Sequence, residues 1–228
     1  MAATNNSVRA LLILTWAWSL RAHDVISTKI TWSQEISRIV YARCLSCHRE
    51  GGSAPMALLS YSQVRPWAKA IKEEINERRM PPWGAMKGFG EFKNDNSLSA
   101  GEIHLIADWV EGGAPEGEPQ YLPPVPPPAA LVVQRPLAMR GVRNGERLGA
   151  VGIVSIAPPP GLAEGASFQA IAELPDGATV PLLWLYNFRP KHARTFFYRE
   201  PIHLPADAVV RISGDPGRIR IATVPAKP

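Results

Sequence analysis

Between residues 115 and 128 the chain reads PEGEPQYLPPVPPP, seven prolines in fourteen residues. Each proline fixes φ and removes a backbone N–H, so neither a helix nor a central strand can run through this stretch. It favours an extended polyproline spacer instead, and any core must be built on either side of it. A chain of 228 residues is long enough for two units of ordinary domain size.

The two sides carry different periodicities. Before the spacer, helical spacing recurs over residues 33–45, with Ile36, Ile39 and Val40 on one face, and again over 61–79 and 99–110. Ser99 followed by Glu102 forms a capping-box pattern, and Gly112 and Gly113 mark the stop. In that last helix Ile103, Ile106, Ala107 and Val110 form an apolar stripe beside Trp109, which reads as core. After the spacer come short β-branched and aromatic runs at 150–156, 167–174, 178–186, 194–200, 208–213 and 218–224. Their spacing predicts a β-sandwich of jelly-roll type, with Leu174, Pro175, Asp176 and Gly177 turning one hairpin and Trp184, Phe188, Phe196 and Phe197 in its core. The expected fold class is an all-α unit followed by an all-β sandwich.

Apolar residues at 46% and charged ones at 20% are ordinary for a globular chain, which argues against disorder, collagen and a membrane bundle. At the N-terminus Arg9 precedes the run ALLILTWAWSL at 10–20, too short to span a bilayer but suited to a secretory signal over 1–22. Export to the periplasm or beyond is expected; an uncleaved segment would act as a membrane anchor. The net charge of +5 is uneven, because residues 129–228 hold twelve basic and seven acidic side chains whereas residues 23–113 hold eleven of each. The arginines are scattered through strand-like sequence, which suits a solvated face or an acidic partner protein and not nucleic acid.

Only two cysteines occur, and they fall in Cys44, Leu45, Ser46, Cys47 and His48. No disulfide framework is available to the rest of the chain. Two thiols three positions apart, followed at once by histidine, suit two thioethers to haem vinyl groups with the imidazole held beneath the iron. A zinc site would need two further suitably spaced ligands, and a redox dithiol a βαβ context. For the sixth iron position the downstream candidates are Met80, Met86 and His104. Met80 is preferred, because Pro81 and Pro82 end the preceding helix and place it at a stiff turn. Met86 is the alternative, and His104 lies on a helix stripe.

The stretch Arg79, Met80, Pro81, Pro82 and Trp83, with APMALL at 54–59, RPWAKA at 65–70 and WVEGGAPEG at 109–117, resembles a class I c-type cytochrome domain of bacterial type. The resemblance covers about ninety residues. It implies one haem c attached at Cys44 and Cys47, with His48 and Met80 as axial iron ligands. It also implies that the backbone carbonyl of Pro55 accepts from the imidazole. The expected organisation is a signal peptide at 1–22, a haem domain at 23–114, a linker at 115–128 and a second domain at 129–228.

Residues 182–213, LLWLYNFRPKHARTFFYREPIHLPADAVVRIS, are similar to one half of the copper type II, ascorbate-dependent monooxygenase core. That family binds copper there through a close histidine pair and a methionine. This chain has separate His192 and His203, with Met139 before the main strands, so the second domain is expected to be a docking or structural module without copper. The expected function is single-electron transfer to a redox partner protein. The alternatives are an oxidoreductase subunit feeding a copper or other redox site, and a haem-based sensor. No distal histidine and arginine pair suggests a peroxidase.

Overall fold

The computed structural model describes residues 29–128, 137–214 and 216–226. The proposed signal segment at 1–22 lies outside them. Among the described residues no helix is long and apolar enough to cross a membrane.

The first part begins with a π-helical turn at Trp32–Ile36, capped by the Thr31 hydroxyl, that runs into α1 at Ser37–Arg43. Then come α2 at Tyr61–Val64, α3 at Ala68–Asn76 and α4 at Ala100–Glu111. The capping box forms as expected: Ser99 Oγ accepts from Glu102 N–H, and Glu102 Oε2 accepts from Ser99 N–H at 2.7 Å. Trp32, Ile36, Val40, Leu45, Ile106 and Trp109 pack into one buried cluster.

The second part contains β1 at Arg140–Val142, β2 at Val151–Ala157, β3 at Phe168–Glu173, β4 at Thr179–Leu185, β5 at Phe196–Leu204, β6 at Val209–Ser213 and β7 at Ile219–Pro225. They form antiparallel sheets of order β1-β7-β2-β5 and β4-β3-β6. In β3, Phe168, Ala170 and Ala172 are buried in alternation, as a strand with one face on a core requires. The hairpin at 174–177 closes through Leu174 N–H to Ala178 O at 2.8 Å.

The chain is not an all-α cytochrome domain followed by an all-β sandwich. Its helices are short, and helix and strand occur in nearly equal shares. Residues 81–93, placed by the sequence in the helical unit, leave it and join the sheets. Trp83, Ala85 and Phe92 are buried in the sheet core, and Ala85 and Phe92 make antiparallel bridges to Leu185 and Tyr198. Met86 N–H donates to Trp184 O at 2.9 Å, and Lys93 N–H to Phe197 O at 2.8 Å. The physical reason is local: α3 ends at Asn76, with Arg78 and Arg79 N–H donating back to Ile75 O and Glu74 O, Pro81 and Pro82 bar its resumption, Gly84, Gly88 and Gly90 resist a new helix, and Trp83 and Phe92 find their partners in Phe196 and Tyr198.

The proline-rich stretch is not extended throughout. Pro115 O accepts from Trp32 N–H at 3.0 Å and from Trp109 Nε1 at 2.9 Å, and Pro119–Tyr121 forms a 3₁₀ turn. Proline lacks a donor but keeps its carbonyl, so this segment docks by accepting. At Gly117, with φ +80°, a Cβ would stand 2.6 Å from Thr31, so the docking needs glycine there.

Candidate functional site

Cys44 is the C-cap of α1, its N–H donating to Val40 O at 2.8 Å, while buried Leu45 anchors the exit from the helix. The next turn folds back tightly: Cys47 N–H and His48 N–H both donate to Cys44 O, at 3.1 and 2.9 Å. Ala54 N–H returns to Cys47 O and Leu58 N–H to His48 O. A Cβ on Gly52 would lie 2.1 Å from Cys47 O, so only glycine lets the loop close here. Cys44, Cys47 and His48 are thus held on one compact loop.

His48 Nδ1 lies 3.1 Å from Met56 O. A carbonyl only accepts, so Nδ1 carries the proton of this bond, and in the neutral tautomer it selects the lone pair is on Nε2. The carbonyl belongs to Met56 and not to Pro55. Met56 packs partly against the helical core and so turns its backbone inward, whereas Pro55 is exposed.

Burial pushes the Cys44 thiol up to about 12, reinforced by Cys47 and opposed by Arg43. Reactive dithiols work through a thiolate stabilised at neutral pH, and Cys44 is tuned the other way. Among the described residues no group of three or more His, Cys, Asp or Glu side chains could hold a metal ion.

Met80 follows α3, where Arg79 N–H and Met80 N–H both donate to Glu74 O, at 2.8 and 3.2 Å. It is 39% exposed, so its thioether is not core filling. Met80 and Met86 line one open cleft, which His48 does not line. A second adjoins it through Arg78, Trp83, Gly84 and Tyr186. His104 is exposed on α4, and His203 is exposed on β5. His192 is partly buried at the second cavity, and Met139 Sδ accepts from Thr195 Oγ1.

Sequence reasoning missed Arg194 and the role of Trp83. The Arg194 guanidinium donates to Pro82 O at 3.0 Å, lies 5.1 Å from the centre of the Trp83 ring and is within Coulombic reach of Cys47. Trp83 Nε1 is buried at the junction of both cavities, without a partner among the described residues. A lone arginine just before a strand carries no signal of such a contact.

The loop at 95–97 braces the cysteine turn. Arg43 donates to Asp95 O at 3.2 Å, and Asn96 Nδ2 to Ser46 Oγ at 3.1 Å. Burial alone would raise the Asp95 carboxyl, but Lys87 at 2.6 Å and the Ser97 donors outweigh it and hold it below the ordinary value. A folded pKa below the unfolded one stabilises above the unfolded value and is lost as pH falls through the folded one. Asp95→Asn is therefore expected to lower stability at pH 7 and to flatten its decline below about pH 4. Urea melts at pH 7 and pH 3 check this; parallel pH curves for wild type and variant would refute it.

Comparison with protein-family models, with curated proteins and with solved structures returns no match.

Proposed function

We propose that this chain is an exported c-type cytochrome that carries single electrons through one covalently attached haem, with His48 and Met80 as axial ligands. The observation that carries the reading is the hydrogen bond from His48 Nδ1 to Met56 O, which leaves Nε2 free on the same loop as two unpaired cysteines. Two further features fit the group: the indole N–H of Trp83, unpartnered among the described residues, and the exposed Met80 beside an open cleft.

When bound, haem supplies a one-electron Fe(III)/Fe(II) couple. The protein does the rest. Cys44 and Cys47 would tether the ring through two thioethers, fixing its position on the loop. The Met56 carbonyl orients the His48 ring. Met80, held by the end of α3, would offer the iron a soft sulfur ligand that favours its reduced state. The export reading rests on the apolar stretch at 10–20. The basic excess in residues 129–228 suits a redox partner with an acidic surface.

The test is the optical spectrum of protein expressed with haem maturation. The ferric form is expected to show the weak long-wavelength sulfur-to-iron band, lost in Met80→Ala and retained in Met86→Ala. Loss in Met86→Ala alone would move the ligand to the sheet side. Absence of the band in wild type, with carbon monoxide binding the ferrous form, would replace the carrier with a sensor or an enzyme.

A further inference from the structure

The cavity beside Trp83 has a lining that a plain surface cleft does not need. Arg78, Arg79, Arg189, His192 and Arg194 line it, and among the described residues no aspartate or glutamate does. Arg79 is already paired with Glu74 at 2.9 Å. Among the described residues, Arg78, Arg189 and Arg194 have no carboxylate within ion-pair distance.

Arg194 is the most constrained of these. Its guanidinium is partly buried and packed on the Trp83 ring, and its protein partners are two backbone carbonyls, those of His192 and Pro82. Carbonyls position a guanidinium but do not neutralise it, and a fork of donors remains for an anion. Arg78 takes the left-handed backbone, φ +52°, that closes α3, its N–H donating to Ile75 O and that of Arg79 to Glu74 O, and this turn brings it to the same cavity. Lys191 adds charge from the same 3₁₀ turn that carries His192.

We propose that this cavity is a carboxylate-binding site anchored by Arg194, so that the sheet part forms one wall of the redox site. The carboxylate has two sources: the peripheral carboxylates of the haem, which rests on the cytochrome reading, or a soluble organic acid, which does not.

The experiment uses the full haem-loaded chain with Arg194→Gln, and Arg211→Gln as the same charge loss on an exposed strand position. If haem supplies the carboxylate, Arg194→Gln shifts the haem carboxylate bending band in resonance Raman and lowers the reduction potential, and Arg211→Gln changes neither band nor potential. If a soluble acid does, succinate raises the melting temperature and the His192 imidazole titration followed by NMR. Its affinity then falls about tenfold or more in Arg194→Gln, as expected for a lost charge-assisted hydrogen bond. Wild type and Arg194→Gln that agree in Raman band, potential and succinate response would overturn the site. Failure of the cytochrome reading appears separately, as a chain with no covalent haem, and the succinate arm still applies to it.

Discussion

Phe196→Ala is expected to destabilise the protein by about 3–5 kcal/mol, the ordinary cost of emptying a buried aromatic position. Phe196 is 1% exposed, meets Trp83 edge-on at 5.4 Å between centroids and lies 5.3 Å from Phe92. Both neighbours come from the segment at 81–93, so this ring joins that segment to the sheets. Phe92 in turn meets Tyr198 at 5.0 Å, and Tyr198 Oη donates to Leu182 O at 2.8 Å. A loss of this size is a large part of the total stability of a domain. Phe196→Leu keeps most of the volume and should cost less than half as much. Urea melts of the two variants against wild type measure this. Equal midpoints would mean that residues 81–93 are not held by this cluster.

That cluster also shows where sequence reading stopped. Each of the six strand runs contains a strand, within about two residues except at the C-terminal end of β5, because alternation and β-branched residues are local signals. Ser99 with Glu102 located the start of α4 for the same reason. Residues 81–93 carry no period, only proline, glycine and scattered aromatics, and their partners lie about a hundred positions away. Nothing local says which core they enter. The site divides along the same line. Cys44, Cys47 and His48 are near neighbours in sequence and share one loop in space. The Met56 carbonyl was missed by one residue, since the choice between it and Pro55 depends on which one packs on the helices. Arg194 was not legible at all, because its meaning comes from Trp83 and Pro82 across a tertiary contact.

Removing both thiols is the most severe change available to the proposed cofactor site. In Cys44→Ala, Cys47→Ala, expressed with haem maturation, covalent haem is expected to fall to background, since the chain has no other cysteine. Each single variant keeps one thioether and leaves one vinyl group conjugated with the ring, so its reduced α band should move to longer wavelength. Neither loss should unfold the loop. Its turn is made by backbone bonds to Cys44 O and Cys47 O, and by the close approach at Gly52, none of which uses sulfur. The check is haem staining after denaturing electrophoresis, with the pyridine haemochrome spectrum of each variant and circular dichroism to follow the fold. A folded double variant without covalent haem ties attachment to this turn. Covalent haem retained in the double variant, or its absence from mature wild type, would remove the basis of the electron-carrier reading.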